Sequence, residues 1–239
     1  MNDKITLLNM DCMEYMRGLP DKAFDLAVCD PPYGINAPTM SATPCQRQTG
    51  SKRLNGGGGK LKDRVLNNAE CNWDSCIPDE DYFAELFRVS KNQVIWGGNY
   101  FTLPPSRGYA VWDKVQPWPN FSATEFAWSS FDCPSKLFKF DNRTGDKIHP
   151  TQKPVKLYEW LLTNYAKPGQ RILDTHLGSG SSAIASYNLG FEFVGMELDA
   201  DYYAAACKRF EQHKAQGNLF IPDTPQDAYE QTDLLYASK

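Results

Sequence analysis

The sequence predicts an α/β fold with one mainly parallel sheet and helices on both faces. Three observations carry this. Short apolar runs alternate with longer segments of helical period through most of the 239 residues. Two small-residue or proline turns, Asp30-Pro31-Pro32-Tyr33 and Gly178-Ser179-Gly180, each follow such a run directly, at the edge where open parallel sheets hold ligands. Hydrophobic residues make up 41% and charged residues 23%, which is ordinary globular usage and sufficient for a buried core. The length suits a single domain, and no internal repeat marks a second one.

Taken in order, residues 5–9 and 26–29 read as short buried strands, with a helical turn near 12–17 between them. Two prolines after Cys29 stop the second strand. A polar stretch of about residues 36–72 follows, with glycine at 56–59, and reads as an inserted loop. Pro78-Asp79-Glu80 opens a helix running to about 89, and residues 93–96 and 109–112 read as the next strands. Residues 127–129 and 137–140 are further strand candidates. Pro154 suits the start of a helix reaching about 166. A strand at 171–174, a helix at 181–189, a strand at 191–196 and a helix from 199 to about 216 complete the alternation. The last twenty or so residues read as a docked tail.

No apolar run approaches the roughly 18 residues that span a bilayer, and the N-terminus lacks a signal-peptide pattern. Seven scattered cysteines, with no Cys-x-x-Cys pair, suggest neither a disulfide framework nor a zinc site, so the expectation is a cytoplasmic protein with reduced thiols and no metal. The net charge of −4 is unevenly placed. Residues 47–64 hold six bases (Arg47, Lys52, Arg53, Lys60, Lys62 and Arg64) against Asp63, so this window carries +5 and the remainder −9. A basic loop on an acidic body is compatible with contact to phosphates.

Two motifs carry chemistry. From Asp174 to Ala183 a glycine-rich loop joins a predicted strand to a predicted helix. Small residues let a backbone approach a ligand closely, and Glu197 and Asp199 after the next strand can accept from ribose hydroxyls. The spacing Gly178-x-Gly180-x-x-Ala183 satisfies a dinucleotide fingerprint and does not separate NAD from S-adenosylmethionine. The second motif is Asp30-Pro31-Pro32-Tyr33. An amino group on an aromatic ring is a poor nucleophile because its lone pair is delocalised. The Asp30 carboxylate and the Pro31 carbonyl are suited to accept both amino hydrogens and free that pair. Pro31 and Pro32 fix the backbone, and Tyr33 can stack on a base extruded from a duplex.

Together these segments resemble the amino-group DNA methyltransferases, in the permuted beta arrangement with the catalytic motif ahead of the cofactor motif, and phage-encoded members in particular. The resemblance spans about 150 residues. It implies a Rossmann-like methyltransferase fold using S-adenosylmethionine. Asn9-Met10-Asp11-Cys12 is similar to the segment whose Asp holds the cofactor adenine. Asp30, Pro31, Pro32 and Tyr33 are similar to the catalytic motif. His149-Pro150-Thr151-Gln152-Lys153-Pro154 is similar to the block at the methionine end, implying roles for His149, Thr151, Gln152 and Lys153. Asp174, His176, Gly178, Ser179 and Gly180, with Glu197, match the glycine loop and ribose acid. Thr175 and His176 depart from the family's usual Pro and Phe, and no large target-recognition domain is expected within these 239 residues.

The resulting expectation is a site-specific methyltransferase acting on double-stranded DNA, of the restriction-modification type. Asp30 as first motif residue favours adenine N6, with cytosine N4 as the alternative. Arg47, Lys52, Arg53, Asn55, Lys60, Lys62 and Arg64 are the expected DNA contacts, with a smaller basic set at Lys136, Lys139, Arg143 and Lys147. An NAD-dependent oxidoreductase leaves two motifs unexplained. Pro44-Cys45-Gln46 mimics the nucleophile of cytosine-C5 enzymes but lies in the polar loop. A non-catalytic nucleic-acid-binding module does not require the intact Asp30 and Tyr33. Oligomeric state is left open, a homodimer included.

Overall fold

The computed structural model describes residues 4–35, 74, 76–115, 122–141 and 152–216. Eight strands form one sheet: β1 (Ile5–Asn9), β2 (Phe24–Cys29), β3 (Ser90–Trp96), β4 (Tyr109–Asp113), β5 (Thr124–Ser129), β6 (Lys136–Lys139), β7 (Arg171–Asp174) and β8 (Glu192–Glu197), ordered β1-β8-β7-β2-β3-β5-β4-β6. Only β5 among them runs against its neighbours; every other pairing is parallel. The helices are α1 (Cys12–Arg17), α2 (Glu80–Val89), α3 (Val155–Tyr165), α4 (Ser181–Asn188) and α5 (Ala200–Ala215). This is a Rossmann-like architecture, and the alternation read from the sequence matches it element by element. The bounds shift by a residue or two, except that β3 and β5 each begin three residues earlier than expected.

The central strands are apolar on both faces because both are covered. In β2, Leu26 and Val28 point into one core with residues of α3, α4 and α5, while Ala27 and Cys29 point into the other with residues of α1 and α2. Strand β3 divides the same way, with Val94 and Trp96 on one side and Ile95 on the other. Helix α2 buries the stripe Tyr82, Phe83, Leu86 and Val89, and Asp79 caps it by accepting from the Tyr82 amide. Arg88 in its last turn donates to the Met16 and Leu19 carbonyls, tying α1 to α2. Helix α4 is narrow: Ser181, Ser182, Ala183, Ala185 and Ser186 are all buried, which lets it sit tightly beside α3 and the sheet. No described helix is long and apolar enough to cross a membrane.

This topology delivers the carboxyl ends of β1, β8, β7, β2 and β3 to one edge. Because β5 is antiparallel, its amino end arrives at that same edge, with Glu125 opposite Trp112 of β4.

Candidate active site

A cavity of about 400 Å³ opens at this edge. Its walls come from the ends of four parallel strands: Asp11 and Cys12 after β1, Asp30 and Pro32 after β2, Thr175 to Ser179 after β7, and Glu197 to Asp199 after β8. Gln152, Lys153 and Tyr158 close it from the α3 side. Of the sequence-predicted residues, Asp11, Cys12, Asp30, Pro32, Gln152, Lys153, His176, Gly178, Ser179 and Glu197 line this one space. Asp174, Gly180 and Pro31 are not in its walls, and neither is Tyr33. His149 and Thr151 lie outside the described residues, as do Cys45, Arg143, Lys147 and all seven expected DNA contacts.

The glycine loop is held in shape from three directions. Asp174 is fully buried, accepting from the Ser182 hydroxyl at 2.5 Å and the His176 amide at 3.0 Å. Burial lifts its carboxyl to about 7. The Leu177 amide donates to the Met196 carbonyl at 2.8 Å and the Gly178 amide to Glu197 at 2.9 Å, which fastens the loop to β8. Arg209 of α5 donates to the Ser179 carbonyl at 2.7 Å and the Ser181 hydroxyl at 2.9 Å. Gly180, at φ +75°, caps α4 in a left-handed conformation that a side chain would strain, with no side-chain acceptor on the first-turn amides.

His176 faces the cavity with Nδ1 3.0 Å from the Thr175 hydroxyl and its ring edge-on to Tyr82. Burial brings its pKa down to about 4, so the imidazole is neutral at physiological pH. Asp11 caps α1, accepting from the Met13 amide at 2.7 Å and the Glu14 amide at 3.2 Å. Burial pushes the thiols of Cys12 and Cys29 up to about 12, so neither acts as a thiolate nucleophile.

Beside the cavity stands a chain of charges around Asp30. The Tyr33 hydroxyl donates to Asp30 Oδ1 at 2.5 Å, and Lys153 Nζ donates to Oδ2 at 2.5 Å. Lys153 Nζ is also 3.2 Å from Glu125 Oε2 and lies over the Trp96 ring, and Glu125 is paired in turn with Lys114. Burial works against every charge here. It outweighs Lys153 at Asp30 and leaves that carboxyl above its ordinary range; at Glu125 the two lysines prevail and the carboxyl stays below it. For Lys153, burial pulls down but Asp30 and Glu125 more than compensate, so it remains an ammonium. Two cations and two anions make the group neutral as a whole.

Lys153, expected at the methionine end of a cofactor, thus lines the cavity and places its ammonium on Asp30. Its own backbone is anchored by the Ser181 hydroxyl, which donates to the Lys153 carbonyl at 2.8 Å. The sequence reading missed Glu125, Lys114, Trp96 and Arg209. No local motif surrounds them: Trp96 arrives at the end of β3 beside β2, and the antiparallel entry of β5 with the register Trp112–Glu125 brings Glu125 and Lys114 to the group.

The model of the DNA methylase family that covers adenine-N6 and cytosine-N4 enzymes matches residues 110–208. Over this segment the chain is similar to the amino-group DNA methyltransferases. It is 25% identical to the Type II methyltransferase M.HinfI of Haemophilus influenzae, over 89% of this chain and 70% of that protein. It is 24% identical to the Type II methyltransferase M2.DpnII of Streptococcus pneumoniae, over 87% and 90%. Among solved structures, the M1.HpyAVI–SAM complex aligns with a TM-score of 0.53 at 20% identity, covering 86% of this chain and 99% of that one. The cytosine-N4-specific PvuII DNA methyltransferase aligns with a TM-score of 0.54 at 14% identity, covering 96% of this chain and 94% of that one. Both structural likenesses establish the fold.

Proposed function

We propose that this methyltransferase moves a methyl group from S-adenosylmethionine to the exocyclic N6 amine of adenine in double-stranded DNA. The observation that carries this reading is the opening of one strand-edge cavity onto Asp30. A glycine loop and two carboxylates, Asp11 and Glu197, line that cavity, and Asp30 carries donors on both oxygens. The volume and donor set fit a nucleoside-type ligand. Asp11 would take its adenine end, Glu197 its ribose hydroxyls, and Ser179 with Gln152 the methionine end. When bound, S-adenosylmethionine supplies a methyl group activated on a sulfonium.

The chain's own groups handle the amine. Extrusion brings the base out of the duplex to the strand edge. An amine N–H takes over the Oδ1 position now held by the Tyr33 hydroxyl, and the Pro31 carbonyl is suited to accept the second. Lys153 opposes the upward pull of burial on Asp30, and in its ionised form the carboxylate can draw on the N–H bonds and localise the lone pair toward the cavity. The new N–C bond would form as the methyl–sulfur bond of the sulfonium breaks and leaves a neutral thioether, and the nitrogen would shed its proton to Asp30. The basic loop at residues 47–64 is proposed to grip phosphates, which an acidic body otherwise repels.

Long-read modification sequencing of DNA from a methylation-free host carrying the chain tests the reading. A single modified motif with N6-methyladenine is expected. N4-methylcytosine would move the assignment to cytosine, and unmodified DNA together with no binding of S-adenosylhomocysteine would overturn it.

A further inference from the structure

We propose that Tyr100 is the second wall of an aromatic clamp, and that the target base enters between Tyr33 and Tyr100. The inference rests on the methyl-transfer reading above and assigns that site a residue which neither the motifs nor the cavity identified. The two rings are stacked with centroids 5.0 Å apart and planes 12° from parallel. A base slotted between them would stack on both, each aromatic face being a platform for any base.

The two walls differ in how firmly they are held. Tyr33 is fixed. Its hydroxyl is on Asp30, its amide donates to Asp74 at 2.6 Å, and Phe101 meets it edge-on. Gly97, at φ +70°, presses so close that a Cβ there would lie 2.3 Å from Tyr33 Cε1. Tyr100 is 44% exposed in a turn closed by its amide on the Gly97 carbonyl, and no hydrogen bond ties its hydroxyl to a described residue. Of the two walls it is the less tethered, so the proposed entry of a base displaces Tyr100 and not Tyr33.

Orientation supports the same conclusion. The hydroxyl end of Tyr33 is the end on Asp30, so a base stacked over this ring has an edge within reach of the carboxylate. The clamp therefore presents the amine where the proposed chemistry requires it.

The test uses the full chain and the DNA motif found by sequencing, with 2-aminopurine at the target position opposite a mismatch. Free 2-aminopurine is bright, and stacking between two rings quenches it. The wild type should give a dim complex. Tyr100→Ala and Tyr100→Leu should give a brighter one and bind about ten-fold or more weakly. Tyr100→Phe should restore both, since it keeps the ring. Both ringless variants should hold S-adenosylhomocysteine as the wild type does, because Tyr100 does not line the cofactor cavity. Wild-type emission and affinity in the ringless variants would overturn the clamp while leaving the methyl-transfer reading intact. A wild type that neither methylates DNA nor binds S-adenosylhomocysteine would overturn that reading, and the clamp with it.

Discussion

Replacing Lys153 with methionine removes the ammonium that sits between two carboxylates. Lys153 Nζ lies 2.5 Å from Asp30 and 3.2 Å from Glu125, with its side chain only 4% exposed. At an effective dielectric of ~20, each contact contributes on the order of 5–7 kcal/mol of attraction, most of it offsetting the loss of hydration. Deleting one partner of a buried pair costs about 3–5 kcal/mol, which lowers the melting temperature by roughly 6–20 °C for a chain of this size. The loss depends on pH in a definite direction. Without the cation, the Asp30 carboxyl moves further above its ordinary range, so the folded state of the variant holds a proton that the unfolded state releases. Stability then rises as pH falls, and the deficit against wild type is largest near pH 8 and shrinks toward pH 5. Asp30→Asn combined with Lys153→Met should recover much of the loss, because Glu125 and Lys114 remain paired with each other. Thermal unfolding of the wild type and both variants across pH 5–8 decides the matter. A single variant melting with the wild type at pH 8, or a double variant as unstable as the single, would refute the account.

Asp30→Asn alone removes the nearer partner of Lys153 and should also lower the melting temperature; at a temperature where the variant is folded, single-turnover methyl transfer is expected to fall by about 100-fold or more, with calorimetric affinity for S-adenosylhomocysteine within about two-fold. Asp174, whose burial lifts it to about 7, destabilises the fold progressively as pH rises from about 4 through 7, by up to about 4 kcal/mol in total. Asp174→Asn should therefore melt above the wild type at pH 8, with the gap closing by pH 5. Changing Lys52, Arg53, Lys60 and Lys62 together to alanine should weaken DNA binding and flatten its salt dependence by about 3–4 in slope if all four meet phosphates, leaving cofactor affinity unchanged. An unaltered slope in fluorescence titrations would place the DNA elsewhere.

How far the sequence carried the structure depended on whether the information was local. Strand β1 and strand β7 are predicted to the residue because an apolar run ends at a polar or acidic group in each. The early starts of β3 and β5 were not legible: Ser90 is buried by bonds to Leu86 and Gln93, and Thr124 to Phe126 carry no apolar run, being assigned to strand by pairing with β4. The site divides similarly. Asp30, Tyr33 and the glycine loop sit in contiguous motifs at strand ends, where the parallel topology forces them together. Glu125 stands 95 positions along the chain from Asp30 and reaches it through one antiparallel strand, a pairing that no spacing rule announces. Tyr100 lay in an unremarked turn for the same reason, its stacking partner being 67 residues away.

The arrangement around Asp30 also bears on how an amine is selected. In the structure the carboxylate is not waiting empty: Tyr33 satisfies one oxygen and Lys153 the other. Leaving either bare and buried would be expensive, so an entering group must offer a donor at least as good as a phenol. A base edge that presents only acceptors would displace the Tyr33 hydroxyl and leave Oδ1 unpaired, at a cost of about 1–3 kcal/mol and more for a charged acceptor. An exocyclic amine replaces one donor with another and keeps a second hydrogen for the Pro31 carbonyl. Lys153 need not move, because its charge is what holds Asp30 in the acceptor state through the exchange. Adenine, cytosine and guanine each carry an exocyclic amine that meets this condition, and thymine, with a carbonyl in place of the amine, does not. The charge cluster thus restricts the proposed reaction to amino-bearing bases.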